Sequence, residues 1–110
     1  MNSYAVRCIF ECPKEEFNEL AHLYEERITV WQASDSDTAI DKAVEEAETY
    51  AHDQRFSFGG LSQAYWMSAA VSLDGTEVFS LMRESDLPIE EYLDWFFSTG
   101  NERQSGKKAK

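Results

Sequence analysis

The most constraining feature of this sequence is one pattern of elements that occurs twice. In the first copy an alternating apolar segment over residues 25–33 leads through a short acidic stretch into a helical pattern over 38–50. In the second copy residues 76–83 lead through another acidic stretch into a helical pattern over 88–97. A further apolar strand precedes each copy, so the chain reads strand-strand-helix twice. This order predicts an α+β fold, with a four-stranded, mainly antiparallel sheet and both helices packed on one face.

Local signals set the expected ends of the first elements. Residues 4–10 alternate and predict a strand, which Pro13 ends because proline cannot donate to a ladder. The next residues, 13–23, fit either two turns of helix or an irregular connection. Ser34 or Ser36 is expected to cap the helix that follows the second strand.

The dipeptide Asp74-Gly75 separates two alternating runs, 61–73 and 76–83. Asp-Gly between such runs is a strong sequence signal for a β-hairpin closed by a two-residue turn. The sequence therefore predicts that the third and fourth strands are paired neighbours. The opposed residues would be Leu73 with Thr76, Val71 with Val78, Ala69 with Ser80 and Met67 with Met82.

The same periodicity predicts a core and an open sheet face. If Ile28 and Val30 meet the helices, four large side chains lie near the other face, namely Trp31, Trp66, Phe79 and Leu81. Such a face is a binding surface or a dimer interface, unless the segment 13–23 covers it. The expected core is Val6, Cys8, Phe10, Ile28, Val30, Ile40, Ala43, Val44, Ala47, Met67, Ala69, Val71, Val78, Leu93 and Phe96.

The charge of the chain is strongly and unevenly acidic. Its 110 residues, a length that predicts one domain, carry a net charge of −11. Residues 101–110, with four basic side chains and one acidic one, carry +3 and are expected to form a flexible basic tail. The domain over 1–100 keeps 6 basic and 20 acidic side chains, a net charge of −14. Nucleic acid and anionic membranes are repelled by such a domain, whereas a basic protein partner is favoured.

The candidate partner-binding residues combine this acidity with exposed aromatic side chains. Asp41, Glu45 and Glu48 recur at spacings of four and three residues, so they form one ridge on the first helix. Like charges this close repel one another, so folding alone does not favour the ridge, although solubility would explain it equally. The full candidate set is Asp35, Asp37, Asp41, Glu45, Glu48, Trp31 and Trp66.

No motif for catalysis, cofactor binding or metal binding occurs in the sequence. It lacks a nucleophile elbow, a phosphate-binding loop and a paired zinc pattern. Cys8 and Cys12, four residues apart on one strand, are too distant for a disulfide. For the charge cluster at 25–27 we expect a cross-strand ion pair with Arg7. No cofactor and no metal is expected, and an enzyme is disfavoured.

Residues 23–30 read LYEERITV, follow the strand that contains Tyr4-Ala5-Val6, and precede Ala33 and an alanine-rich helix over 37–47. Over residues 3–50 this arrangement resembles a small bacterial family of unknown function, which combines a Tyr-Ala-Val strand, a Tyr-Glu-Glu-(Arg/Ser)-Ile strand and an Ala-rich helix. The second half departs from that family, chiefly in its long hairpin. The resemblance implies fold and bacterial origin, and it carries no established activity.

Together these observations favour a non-enzymatic, acidic interaction protein of the cytoplasm, since no bilayer-spanning run or signal-peptide pattern is found. One specific form is an immunity protein or inhibitor that binds a basic toxin domain, such as a nuclease, by charge complementarity. One alternative is a small-ligand-binding protein or enzyme with a pocket near residues 54–66, beside Tyr65 and Trp66. The other is a homodimeric structural module that buries its open sheet face.

Overall fold

The strand-strand-helix order occurs twice in the structure, and the α+β class is confirmed. The computed structural model describes residues 1–68, 74–97 and 103–105. The elements are β1 (Asn2–Cys12), β2 (His22–Ala33), α1 (Ser36–Gln54), β3 (Ser57–Met67), β4 (Thr76–Ser85), α2 (Ile89–Phe97) and β5 (Arg103–Ser105). Strands in the order β3-β1-β2-β4 form a four-stranded antiparallel sheet, and the short β5 pairs with the outer edge of β3.

The predicted hairpin between the third and fourth strands is wrong. β3 pairs with β1, with Met67 opposite Ser3, whereas β4 pairs with β2, with Met82 opposite Glu25. The β1–β2 pair occupies the centre of the sheet and offers one free edge on each side, so β3 and β4 take opposite edges. The predicted partners Leu73, Val71 and Ala69 lie outside the described residues.

The Asp74-Gly75 turn instead forms hydrogen bonds with β2. The Gly75 amide donates to the Val30 carbonyl at 2.7 Å, and the Gln32 amide donates to the Asp74 carboxylate at 2.8 Å. Gly75 has a φ of 80°, a conformation that glycine adopts without steric cost. The dipeptide therefore lies in a turn, as its residue types predict, but long-range pairing places β4 beside β2.

The two helices lie on opposite faces of the sheet, so the prediction that both pack on one face is wrong. Cys8 and Phe10 belong to the cluster beneath α1, whereas Ile9, which points the other way, belongs to the cluster with α2. We call these sides the α1 face and the α2 face. α1 covers the α1 face, and α2 buries Tyr92, Leu93 and Phe97 against the α2 face.

The buried side chains form one cluster on each face. Most predicted core positions are buried, and Ile28, Val44 and Met67 are half-buried. Val78 and Phe96 were predicted to be buried but are exposed. Val78 lies in a bulge of the edge strand β4, and Phe96 lies beside the buried stripe of α2. Ala69 and Val71 lie outside the described residues. Buried residues that the sequence analysis missed include Tyr4, Ile9, Tyr24, Leu61, Tyr92 and Phe97.

α1 has a defined start and end. Its N-cap is Asp35 rather than Ser34 or Ser36, and the Asp35 carboxylate accepts from the Thr38 amide at 2.8 Å. Its last residue is Gln54, and the C-cap residue Arg55 has a left-handed φ of 62°. Buried alanines along one side let the helix lie close to the sheet, where its Cα atoms come near those of β1, β2 and β3.

Two segments outside the main elements form hydrogen bonds with the outer strands β4 and β3. The segment 13–21 is irregular, and the Glu84 carboxylate accepts hydrogen bonds from the Asn18 side chain and the Leu20 amide, each at 2.9 Å. These bonds hold the pKa of Glu84 below its usual value. β5 falls in the stretch that was expected to be a flexible tail, where it pairs with Ser62, Gln63 and Ala64. Residues 101–102 and 106–110 lie outside the described part of the chain.

Candidate partner-binding groove

A shallow groove of about 430 Å³ lies on the α1 face, between α1 and the end of β2. It contains two of the predicted partner-binding residues, Trp31 and Glu45. We call it the Trp31 groove. Its other lining residues are Lys42, Glu46, Thr49 and Asp74.

Trp31 is held in one orientation at the groove. Its indole N–H donates to the Thr29 hydroxyl at 2.7 Å, and its ring packs against the hydrophobic cluster beneath α1. On another side the ring meets the turn, because a Cβ added to Gly75 would lie 3.3 Å from it. The ring is half-buried, so it offers a fixed aromatic surface to the groove.

Carboxylates outnumber cations around this ring. Lys42 Nζ donates to the Gln32 carbonyl at 2.8 Å and lies 3.6 Å from the Asp74 carboxylate. Glu45 is exposed, and among the described residues its carboxylate has no hydrogen-bond or ion-pair partner. The groove therefore combines an aromatic wall with a carboxylate that is available to a cation.

Arg27 forms a polar network beside the groove. Its guanidinium makes two hydrogen bonds to Glu46, at 2.8 and 2.9 Å, and one to Glu77 at 2.7 Å. It also lies 3.8 Å from the centre of the Tyr50 ring. Burial opposes the charge of Arg27, but the hydrogen bonds to both carboxylates outweigh it and raise its pKa. The network keeps Glu46 in place as a wall of the groove.

A buried carboxylate completes this network. Glu25 accepts from the Tyr50 hydroxyl at 2.9 Å and from the Ser80 hydroxyl. Burial, together with the hydrogen bond to Glu25, raises the pKa of Tyr50. The side chains around Glu25 are hydroxyl donors rather than an acid or base aimed at an open cleft, so the arrangement is structural.

The structure distributes the other predicted residues over the surface. Asp35 caps α1, while Asp37, Asp41 and Glu48 are exposed along it and outside the groove. Trp66 lies on the α1 face two strands from Trp31, because Tyr4 of β1 pairs with both. Trp66 is exposed and does not line the groove. Phe79 and Leu81 were expected beside the tryptophans but point to the α2 face, opposite Ile28 and Glu26.

A second polar network lies on the α2 face, and the sequence predicted only one of its contacts, an ion pair. Arg7 lies 3.2 Å from the Glu26 carboxylate, which confirms the expected cross-strand pair. Its guanidinium also donates to Gln63 at 3.0 Å and to the Tyr65 hydroxyl at 2.7 Å, and it stacks 4.6 Å from the Phe97 ring. A lone arginine inside an apolar strand was the available signal. The network positions α2 against the sheet.

Two further cavities border the segment 54–66, where a pocket was the alternative expectation. One of about 580 Å³ on the α1 face is lined by apolar side chains that include Phe17, Phe56 and Met82. The other, of about 240 Å³, lies between β3 and α2. Tyr65 and Trp66 line neither cavity, because both lie at the far end of β3.

The two cysteines are buried free thiols. Burial raises the pKa of Cys8 to about 11, and burial with the nearby carboxylates of Glu25 and Glu11 raises that of Cys12 to about 12. A thiol nucleophile reacts as the thiolate, so neither cysteine is activated at neutral pH. Cys12 borders the 580 Å³ cavity without supplying it with a nucleophile.

Comparisons with protein-family models, with curated proteins and with solved structures find no match to this chain. Within residues 1–68, 74–97 and 103–105, no three His, Cys, Asp or Glu side chains are grouped so that they could hold a metal ion. The helices of the described part of the chain are too short or too polar to cross a membrane.

Proposed function

We propose that this chain is a non-enzymatic binding domain that docks to a basic protein, with an arginine or lysine side chain of that partner seated in the Trp31 groove. The observation that carries the proposal is the fixed Trp31 ring beside the carboxylate of Glu45, which has no partner within the described part of the chain. A cation over an aromatic face gains about 0.5–2 kcal/mol, depending on its desolvation. The adjacent carboxylate adds a charge-assisted hydrogen bond.

The charge of the whole domain supports the same kind of partner. Residues 1–100 carry 6 basic and 20 acidic side chains, and their field attracts a basic surface before contact. Such steering raises association rates at low salt more than it raises final affinity. An immunity protein or inhibitor that covers a basic toxin domain, such as a nuclease, is the specific form that we propose.

We place this activity in a bacterial cytoplasm. Bacterial origin rests on the family resemblance of residues 3–50. Within that setting the acidic domain would meet its basic partner as a diffusing protein, and no cofactor enters the interaction.

The test titrates ¹⁵N-labelled protein with a short arginine-rich peptide and follows backbone and indole resonances by NMR. We expect the Trp31 indole signal and the Glu45 amide to shift together, and the affinity to fall as salt rises. Glu45→Lys should weaken binding at least about tenfold, since it replaces a carboxylate of the groove with a cation. Glu48→Lys is the matched control, because it makes the same charge change on α1 outside the groove.

The two variants separate a site from a general field. Equal weakening by Glu45→Lys and Glu48→Lys, with small shifts spread over all acidic residues, would show only non-specific attraction. In that case the Trp31 groove is not the binding site.

A second candidate function rests on the 580 Å³ cavity. Its volume lies in the range that small-ligand pockets occupy, and its lining is mainly apolar. A small apolar ligand bound there would protect Met82 and Phe56 from solvent. Screening apolar fragments by thermal shift, with Met82→Glu as the variant that abolishes the effect, tests this alternative.

A further inference from the structure

The irregular segment 13–21 borders one end of the α1 face, between the end of β1 and the start of β2. We call it the lid segment. All of its residues are exposed except Asn18, and Phe17 is exposed by 80%. Burial of apolar surface therefore contributes little to holding the lid segment in place. A segment with so few buried contacts opens locally at a lower cost than the sheet beside it.

The lid segment forms one wall of the 580 Å³ cavity. The residues that line the cavity from this side are Pro13, Glu15, Phe17 and Asn18. The facing wall belongs to the sheet and to the end of α1, and its residues are Cys12, Leu23, Gln54, Phe56, Met82 and Glu84. Movement of the lid segment away from the sheet would therefore expose a mainly apolar wall to solvent.

Glu84, near the end of β4, is the main attachment of the lid segment. One of its oxygens accepts from the backbone amides of Glu19 and Leu20, and the other accepts from the Asn18 side chain, each at 2.9 Å. Because these bonds lower the pKa of Glu84, the carboxylate is charged at neutral pH. Hydrogen bonds to a charged acceptor are stronger than those between neutral groups. One side chain thus makes three of the bonds that position the lid segment.

Asn18 extends this attachment to the exposed turn of the lid segment. Its side-chain oxygen accepts from the Glu15 amide at 2.8 Å, and its own amide donates to the Glu15 carbonyl at 3.1 Å. The turn that carries Phe17 is therefore fixed through Asn18. At the other end of the segment, the Ala21 amide donates to the Asp86 carboxylate at 2.9 Å.

We infer that the lid segment opens and closes over the 580 Å³ cavity as one unit, with Glu84 as its latch. This inference is independent of the Trp31 groove and goes beyond the proposed function. Opening breaks the three bonds to Glu84 and uncovers the wall that carries Phe56 and Met82, while the sheet and α1 keep their packing. The cavity then has a gated entrance, and the rate of lid opening limits access to it.

The two buried cysteines distinguish lid opening from unfolding of the whole domain. Cys12 directly precedes the lid segment and borders the cavity, with 6% of its surface exposed. Cys8 lies in the cluster beneath α1, with its sulfur 3.3 Å from the Ser62 hydroxyl. A thiol reagent should reach Cys12 when the lid segment opens, whereas Cys8 should react only when α1 separates from the sheet.

The experiment measures the rate at which N-ethylmaleimide labels each thiol of the full chain, with the sites assigned by peptide mass spectrometry. Glu84→Gln should raise the Cys12 rate at least about tenfold, because an amide has one acceptor oxygen and no charge and cannot accept all three bonds. Asn18 cannot compensate by turning its amide round, since its oxygen already accepts from the Glu15 amide. The Cys8 rate should stay unchanged.

Glu16→Gln is the matched control, because it removes the same charge from an exposed position of the lid segment that does not line the cavity. It should leave the Cys12 rate unchanged.

Asn18→Ala is a second variant, which breaks the same latch and leaves Glu84 charged. It should also raise the Cys12 rate about tenfold, which a direct effect of the Glu84 charge on the thiol would not do. In both variants the amides of Glu19 and Leu20 should exchange hydrogen faster. A Cys8 rate that rises together with the Cys12 rate, or a Cys12 rate that either variant leaves unchanged, would overturn the proposal.

Discussion

The two faces of the sheet are covered in different ways. The 19-residue α1 approaches its face closely, because the residues between it and the sheet are mainly alanines such as Ala43 and Ala47. The nine-residue α2 instead reaches its face through large side chains, and the Tyr92 ring stacks 4.0 Å from Tyr24. A close helix leaves no room for larger side chains, whereas a short helix depends on each aromatic contact.

On each face an arginine also connects neighbouring strands with the helix. Arg27 on the α1 face lies between two carboxylates, Glu46 and Glu77, and is almost fully buried. Arg7 on the α2 face has Glu26 as its one carboxylate partner among the described residues, and it also donates hydrogen bonds to the neutral Gln63 and Tyr65. Loss of Arg27 leaves more uncompensated negative charge than loss of Arg7, so the α1 face is the more dependent on its arginine.

The largest effect is expected where α2 depends on one ring. Tyr92→Ala should lower the free energy of unfolding by about 4 kcal/mol, since it removes a buried aromatic side chain and its stacking partner's contact. Urea denaturation measures the change. Tyr92→Phe, which loses only the 3.3 Å contact between the hydroxyl and Arg83, should cost less than about 1 kcal/mol. If Tyr92→Ala and Tyr92→Phe lowered the free energy of unfolding equally, α2 would be held by something other than this ring.

The arginine comparison comes next in size. Arg27→Met should destabilise the protein by about 3 kcal/mol, because Glu46, Glu77 and the buried Glu25 then lie together without a cation. Arg7→Met should cost about 1 kcal/mol less. Denaturation at matched ionic strength checks the difference, and an Arg7 variant that is the less stable of the two would reverse the ranking of the faces.

Enlarging a small residue tests the close approach of α1. Ala43→Leu should destabilise by about 2 kcal/mol, since the added atoms have no space between the helix and Val6 or Cys8. The control Glu48→Leu places the same side chain on the exposed side of α1 and should change stability by no more than about 0.5 kcal/mol. If thermal denaturation shows similar midpoints for both, α1 does not pack as closely as described.

The smallest effect is an alkaline loss of stability to which both faces contribute. Burial raises the pKa of Tyr24 to about 12, and it also raises those of Tyr50 and Tyr92. A raised pKa contributes stability that is complete below the unfolded value near pH 10 and is lost above it. Tyr24 alone should remove about 1 kcal/mol by pH 11. Denaturation between pH 8 and 11 measures the slope, which Tyr24→Phe should reduce.

Long-range pairing explains most of the differences between prediction and structure. Asp74-Gly75 predicts a turn, and a turn is present, but the predicted hairpin is wrong because β3 pairs with the free edge of β1 and β4 with that of β2. Of the candidate site, Trp31 and Glu45 come together, while Trp66 lies two strands away. Spacing on α1 grouped Glu45 with Asp41 and Glu48, but only a folded sheet could show which of the three borders an aromatic ring.

The sequence by itself determined the element order, the α+β class and the amphipathic side of α1, because periodicity and capping act over a few neighbouring residues. It also determined the acidity of the domain. Only the tertiary structure decided the strand order, the placement of the helices on opposite faces and the location of the Trp31 groove. Those features depend on contacts such as Tyr24 with Tyr92 and Arg27 with Glu46, whose partners are far apart in the chain. Local patterns carry no information about which distant partner will supply the other half of such a contact.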